Sequence, residues 1–476
     1  MMGDLNVTTQ TGAEASLEES ALEAFKGSLR GELIRPGDAG YDEVRTVYNA
    51  MIDRRPALIV RCAGIADVIN AINLARGHNL LTAVRGAGHN VTGNAVCDGG
   101  IVIDLSQMKG MHIDLAARTV RAEPGLTWAE LNHDLQAFGL AATGGFISTT
   151  GIGGLTLGGG LGWLVRKHGL ACDNLLSVDI VTADGQFLTA SATQNPDLFW
   201  GVRGGGGNFG VVTSFEFRIH PAGTVLAGLL AHPIAQAKKA IQFWRDYAST
   251  APEELTTGVA LLMAPSAPFV PEAMQGTPVC GIAGVYCGDI NTGEQAIRPL
   301  RESGSPAIDI FQPMPYSAAQ SMLDGVFPPG YRNYWKSSIL RGLTDDAIDT
   351  VLAHFATVAS PMTLVIIEHN GDGAMDRVSA SDTAFGHRDW SYDFLITSIW
   401  ADAADDEKNI EWTRAFWEAM QPFAREAVYV NYLDQEGEER VKAAYAAPTY
   451  ERLVNLKNQH DPTNLFRLNQ NIKPTV

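Results

Sequence analysis

Apolar positions near the start of the chain follow two periods. From Ile65 to Asn79 they fall at Ile65, Val68, Ile69, Ile72 and Ala75, the spacing of one helix face. Short runs around this segment predict strands at Ala57–Arg61, Leu81–Val84, Ile101–Leu105 and Thr119–Ala122. Tyr41–Ile52 reads as a helix, and Thr127-x-x-Glu130 is a capping box that predicts a further helix start. Leu176–Thr182 and Phe187–Ala190 flank Asp184-Gly185, a hairpin signal, and Val211–Ile219 reads as a strand. These elements predict one α+β unit of short strands and helices.

From about Ala222 the candidate strands lengthen: Leu226–Ala231, Gly258–Ala264, Val279–Tyr286, Thr363–His369 and Tyr392–Trp400. Helical stretches follow or separate them at Ile234–Ser249, Thr292–Glu302, Asp345–Ala359 and Asp405–Met420. This pattern predicts a sheet covered on one face by helices. The tail goes back to short elements, with a strand expected at Val428–Tyr432 and a helix at Tyr450–Gln459. The expected organisation is therefore residues 1–222, 223–427 and a returning segment, 428–476.

Composition narrows the function. The formal net charge of −18 argues against a nucleic-acid partner, which needs clustered Lys and Arg. The first residues show neither a basic n-region nor an apolar h-region, so no secretory leader is expected. Leu135–Val165 carries no charge, but it is too rich in glycine and too poor in apolar residues for a membrane span. Cys62, Cys97, Cys172, Cys280 and Cys287 are scattered, without CxxC or zinc spacing. Reduced thiols, a cytoplasmic location and no metal site are the expectations.

Glycine is the unusual count, at 49 residues, with nine of them between Gly144 and Gly162 and six between Gly201 and Gly210. Such density lets successive backbone N–H groups converge into nests that hold anions without a cation. A GxGxxG motif occurs at Gly205, Gly207 and Gly210, but a strand follows it where a Rossmann turn requires a helix. No P-loop, HExxH or GxSxG motif is present.

Four segments carry more. They are RGAGHN (Arg85–Asn90), TTGIGGLTLGGGLGWLVRKHGLACDNL (Thr149–Leu175), NPDLFWGVRGGGGNFGVVTSFEFRIHP (Asn195–Pro221), and the tail with YVNYLD (Tyr429–Asp434) and HDPTNLFRLNQNI. Together they resemble the berberine bridge enzyme-like flavoproteins of the vanillyl-alcohol oxidase/p-cresol methylhydroxylase (PCMH) superfamily. The resemblance covers about Arg54–Pro221 and Val428–Ile472 and is loose between them. It implies a PCMH-type FAD-binding domain of two α+β subdomains, and a substrate domain whose antiparallel sheet lies over the flavin.

The resemblance also implies a covalent bond from His89 to the flavin 8α-methyl carbon. Where many relatives carry a second, cysteinyl link, this chain has Ile147, so a single link is expected, with Cys172 structural. The implied cofactor contacts, besides His89, are Arg85, Gly86, Ala87, Gly88, Asn90, Gly93, Thr149, Thr150, Gly151, Gly153, Gly154, Gly158, Gly159, Gly210, Val212, Asn469 and Asn471.

The tyrosine of the family's N-Y-x-D segment, the base in its oxidases, matches Tyr432. Tyr429, three residues before it on an expected strand, falls on the opposite face. In TLVIIEH, alternation separates Glu368 from His369, so one of the two faces the flavin. Asp393 and Trp400 are weaker candidates, and His387 reads as a loop residue. The leading expectation is an oxidase of a hydroxyl group on a sugar or secondary metabolite, with O2 as acceptor. The alternatives are a C–N oxidase similar to the 6-hydroxynicotine oxidases, and a flavin-bearing protein that sequesters a drug.

Overall fold

The computed structural model describes residues 4–476. A four-stranded sheet is ordered Glu32–Ile34, Leu58–Arg61, Ile101–Asp104, Thr82–Arg85, with the last three parallel. The helix Ile65–Gly77 makes the crossover, burying Val68, Ala71, Ile72 and Ala75 as its spacing dictates. A five-stranded antiparallel sheet follows, ordered Phe187–Ser191, Leu175–Val181, Val211–Arg218, Thr119–Ala122, Met111–Asp114. The hairpin across Asp184-Gly185 forms as expected. The capping box is made: Glu130 N donates to Thr127 Oγ1 and Thr127 N to Glu130 Oε2, opening helix Trp128–Gln136.

The third sheet has eight strands, all antiparallel. Its order is Ile308–Asp309, Thr224–Pro233, Pro278–Tyr286, Leu255–Met263, Leu364–His369, Tyr392–Trp400, Arg332–Leu340, with Gln312–Pro315 also on Thr224–Pro233. Helices Ala237–Ala248, Ile290–Glu302, Asp345–Phe355 and Asp406–Met420 cover one face. Ile241, Trp244, Ile297, Val351 and Phe416 pack there on Val259, Ile282, Val365 and Ile367. The tail packs into the core of the five-stranded sheet through Val428, Val430, Leu433, Leu453 and Ile472.

Several elements differ from the sequence pattern. The helix expected over Tyr41–Ile52 stops at Val44, and Asn49 beyond it donates to Val91 O at 2.8 Å and Asn333 O at 2.9 Å. That side chain ties the segment to a distant loop and to the strand Arg332–Leu340. Arg332–Leu340 is a strand the pattern did not reveal, because polar residues sit on both of its faces. Within Gly144–Gly162, Ile152–Leu157 is a short helix. No helix among the described residues is long and apolar enough to cross a membrane.

One side chain joins the glycine-rich loop to the third sheet. Arg166, 1% exposed, donates to the carbonyl oxygens of Ala251, Pro252, Leu255, Gly371 and Asp372. Arg166→Met strands all five, and we expect a loss of about 3–5 kcal/mol of stability, read as a lower urea midpoint.

Candidate active site

A cavity of about 320 Å³ opens between the first two sheets and the tail. Its walls come from Gly86–Val91, the glycine-rich loop, Gly206–Val212, Val430–Tyr432 and Phe466–Gln470. No Lys, Arg, Asp or Glu lines it among the described residues. Main chain, amides, hydroxyls, the His89 imidazole and apolar groups form its surface.

Of the expected cofactor residues, Gly86, Ala87, Gly88, His89, Asn90, Thr150, Gly151, Gly153, Gly154, Gly158, Gly210, Val212 and Asn469 line this cavity. Gly210, at φ +157, could not carry a Cβ, which would meet Val181 O at 2.5 Å. Gly154 and Gly207 have nothing within 4 Å of a notional Cβ, so they border open space. Asn469 Nδ2 donates to Gly207 O and Phe466 O, which leaves its buried Oδ1 without a partner.

His89 stacks on Tyr48, with ring centroids 4.0 Å apart and planes 16° apart, and its Nε2 lies 3.4 Å from Thr149 Oγ1. Burial pushes its imidazole down to about 4, so it is neutral at physiological pH.

Other expected residues lie off the cavity. Arg85 pairs with Asp104 at 2.6 Å, a structural ion pair. Gly93 makes a turn against Ile52, and a Cβ at Gly159 would run into Phe385. Thr149 reaches the site only through His89. Asn471 keeps a buried, unpartnered Oδ1 but lines no part of the wall. Cys172 is fully buried in an apolar cluster with Leu161 and Met375.

The segment expected as the strand Val428–Tyr432 is instead a 3₁₀ turn over Val430–Tyr432. Residues three apart eclipse in such a turn, so Tyr429 shares the cavity with Tyr432 and does not face away from it. Their rings meet edge to face at 4.8 Å. Tyr429 Oη accepts from Gly160 N, Leu161 N and Asn431 Nδ2, which clamps the glycine-rich loop.

Tyr432 Oη donates to Glu368 Oε1 at 3.0 Å, and Asn370 Nδ2 donates to Glu368 Oε2 at 3.2 Å. Asp393 stands opposite Glu368 on the neighbouring strand, buried, with neither carboxyl oxygen hydrogen-bonded. Burial pushes Glu368 up to about 7, and burial with the nearby Glu368 charge holds Asp393 well above the usual carboxylate range. His369 corrects the expectation that placed it beside Glu368 as a candidate. It points to the helix-covered face, bonds Asp372 at 3.1 Å and packs on Trp244 and Tyr392. Trp400 Nε1 donates to Asp406, and His387 bonds Ala443 O in its loop. Tyr48 and Trp335 were not expected at the site, since one lies in a segment that reads as helix and the other in the strand that the pattern hides.

A family model described as an FAD binding domain matches residues 56–191, and one described as berberine and berberine like matches residues 428–473. An FAD-linked oxidoreductase of Dictyostelium discoideum is 30% identical over 454 residues, covering 94% of this chain and 96% of that one. The chain belongs to the berberine bridge enzyme-like FAD-linked oxidoreductases. A carbohydrate oxidase of Microdochium nivale is 27% identical over 505 residues, covering 97% of each chain. The solved 6-hydroxy-D-nicotine oxidase of Arthrobacter nicotinovorans superposes with a TM-score of 0.85 at 29% identity, covering 94% of this chain and 98% of that one.

The cavity fits the family's cofactor on its own chemistry. Open space beside Gly154 and Gly207 leaves room for backbone to approach a diphosphate, and the spare Asn469 Oδ1 can accept from a ring N–H. FAD held this way depends on shape. Gly154→Leu starts a side chain into empty space, since its Cβ meets no protein atom within 4 Å. We expect the variant to fold but to lose FAD affinity by about tenfold or more, read as a weaker visible flavin band after gel filtration.

Proposed function

We propose that this FAD-linked oxidoreductase is an oxidase that takes hydride from a carbon bearing a hydroxyl group, with O2 as the final acceptor. The hydrogen bond from Tyr432 Oη to Glu368 Oε1 at the cavity wall carries this reading. Bound in the cavity, FAD supplies the hydride acceptor. The chain's own task is the hydroxyl proton. As the C–H pair leaves the substrate, that proton must also go, and a carbonyl remains.

Tyr432 alone is a poor base, because burial and the charges of Glu368 and Asp393 hold its phenol well above 10. Glu368, near 7, is divided between acid and carboxylate at neutral pH. Tyr432 Oη can accept the substrate proton while passing its own to Glu368 Oε1, so no free phenolate forms. Asn370 fixes the far oxygen of that carboxylate. His89 is the proposed covalent anchor for the flavin, supported by its neutral imidazole, its stack on Tyr48 and its place in the wall.

A second reading, oxidation of a C–N bond, is favoured by the likeness to 6-hydroxy-D-nicotine oxidase. A neutral amine needs no strong base, so Tyr432 would then be dispensable.

Tyr432→Phe should lower kcat about a hundredfold to ten-thousandfold in peroxide release, and an unchanged rate removes the hydroxyl reading. Because the folded value of Glu368 is raised, the carboxylate is present above about pH 7 and lost below it. The rate should therefore climb through that pH, and Glu368→Gln should flatten the profile at a lower level. Acid-precipitated protein should stay yellow, and His89→Ala should release its flavin; a colourless pellet from the unmodified protein rules out the link.

A further inference from the structure

We infer that the substrate is an uncharged, largely apolar alcohol, aromatic or polycyclic, presented by one end to Tyr432, and not a sugar. The inference rests on the hydroxyl-oxidation reading and narrows it.

The third sheet shows the cavity the face that its helices do not cover. Pairing fixes which residues share it: Gly258 and Ala260 stand opposite Glu368 and Ile366, and Ile366 stands opposite Leu395. Their neighbours Val259, Leu261 and Ile367 turn to the helices and are 1% exposed. By contrast Gly258, Ala260, Leu262 and Ile366 are only half-buried although they lie mid-sheet, so a cleft lies over them. This floor adjoins the flavin cavity through shared packing. Val91, Ile147, Trp335 and Tyr432 line that cavity and pack in the same apolar cluster as Leu262, Ile366 and Leu395.

Polar groups on this face stand outside the floor of Gly258, Ala260, Leu262 and Ile366. Glu368 is engaged by Tyr432 and Asn370, and Asp393 stands opposite it without a partner. Ser337, opposite Leu395, also has an unpartnered buried hydroxyl. Thr397 Oγ1 already donates to Leu364 O at 3.1 Å. The half-buried floor of Gly258, Ala260, Leu262 and Ile366 offers no side-chain donor or acceptor at all.

A sugar carries hydroxyls around its whole ring. Laid on this floor, those over Gly258, Ala260, Leu262 and Ile366 would give up water and gain no partner, a penalty of about a hundredfold or more in binding for even two of them. An apolar alcohol brings a single hydroxyl, which Tyr432 meets, and its body displaces water from Leu262 and Ile366. The chemistry is that of the proposed reaction: hydride leaves the carbon, the proton goes to Tyr432 and on to Glu368, a carbonyl forms, and O2 ends as hydrogen peroxide.

The test mixes flavin-loaded enzyme without air with cinnamyl alcohol, cellobiose or benzylamine at equal concentration and follows bleaching of the flavin band. We expect cinnamyl alcohol to bleach at least about a hundredfold faster than cellobiose. Cellobiose at an equal or greater rate, or no bleaching by cinnamyl alcohol, overturns the apolar class. Bleaching by benzylamine alone overturns the hydroxyl reading itself. Ile366→Asn should raise KM for cinnamyl alcohol about tenfold while kcat and flavin content hold. An unchanged KM in a yellow, folded variant removes the floor from the argument.

Discussion

A flavin dinucleotide brings a diphosphate, and the cavity that receives it has no Lys or Arg in its wall among the described residues. The two negative charges must be met by backbone N–H groups and neutral side-chain donors, and this constraint orders the rest of the molecule. N–H groups converge only where the chain can turn without Cβ atoms in the way, which explains two dense glycine segments in a protein of charge −18. Acidity and anion binding do not conflict here, because the surface and the cavity use different parts of the chain.

Main chain that binds through its own N–H groups cannot also be held by regular hydrogen-bond ladders, so side chains must fix it from outside. Tyr429 does this from the tail, accepting two backbone N–H groups of the loop. Arg166 does it from the loop's far end, with five carbonyls of the third sheet's connections. Lys457, wholly buried, donates to Asn208 O, Phe466 O and Asp461, which draws the last residues over the second glycine cluster. The returning tail is therefore a wall of the site, and its Tyr432 reaches Glu368 only because that wall is pinned.

Elements whose fate is decided by their own spacing were legible in the sequence. The helix at Ile65, the capping box at Thr127 and the hairpin at Asp184-Gly185 each carry a local signal that the structure repeats. Elements decided by distant partners were not. Asn49 ends its helix through Val91 and Asn333, and Arg332–Leu340 is a strand because Tyr392–Trp400 lies beside it, not because its own residues alternate. The turn at Val430–Tyr432 belongs to the same class. Five residues of β-like composition bend because Tyr429 Oη must reach Gly160 N, and that contact lies 269 residues away in sequence. The places of the cavity glycines and of His89 were legible because residue type alone restricts what they can do, whereas Tyr48 and Trp335 are ordinary aromatics until the fold brings them together with the imidazole.

The two carboxyl groups behind Tyr432 work against the fold. Glu368 and Asp393 are buried face to face on neighbouring strands, Asp393 without a single hydrogen bond, where an amide or an apolar pair would fit the sheet better. Their folded values lie above those of an exposed acid, so the unfolded chain gives up these protons first, and the pair destabilises the native state as pH rises towards neutrality. Packing does not account for such an arrangement, but the proposed proton transfer does. An isolated exposed glutamate would be fully ionised and would hold a relayed proton weakly, while a lone buried tyrosine would release none. Burial brings the exchange of Glu368 into the neutral range, where, on the proposed reading, a hydroxyl proton passed through Tyr432 finds an acceptor. The remaining floor of Gly258, Ala260, Leu262 and Ile366 keeps that exchange beside apolar surface.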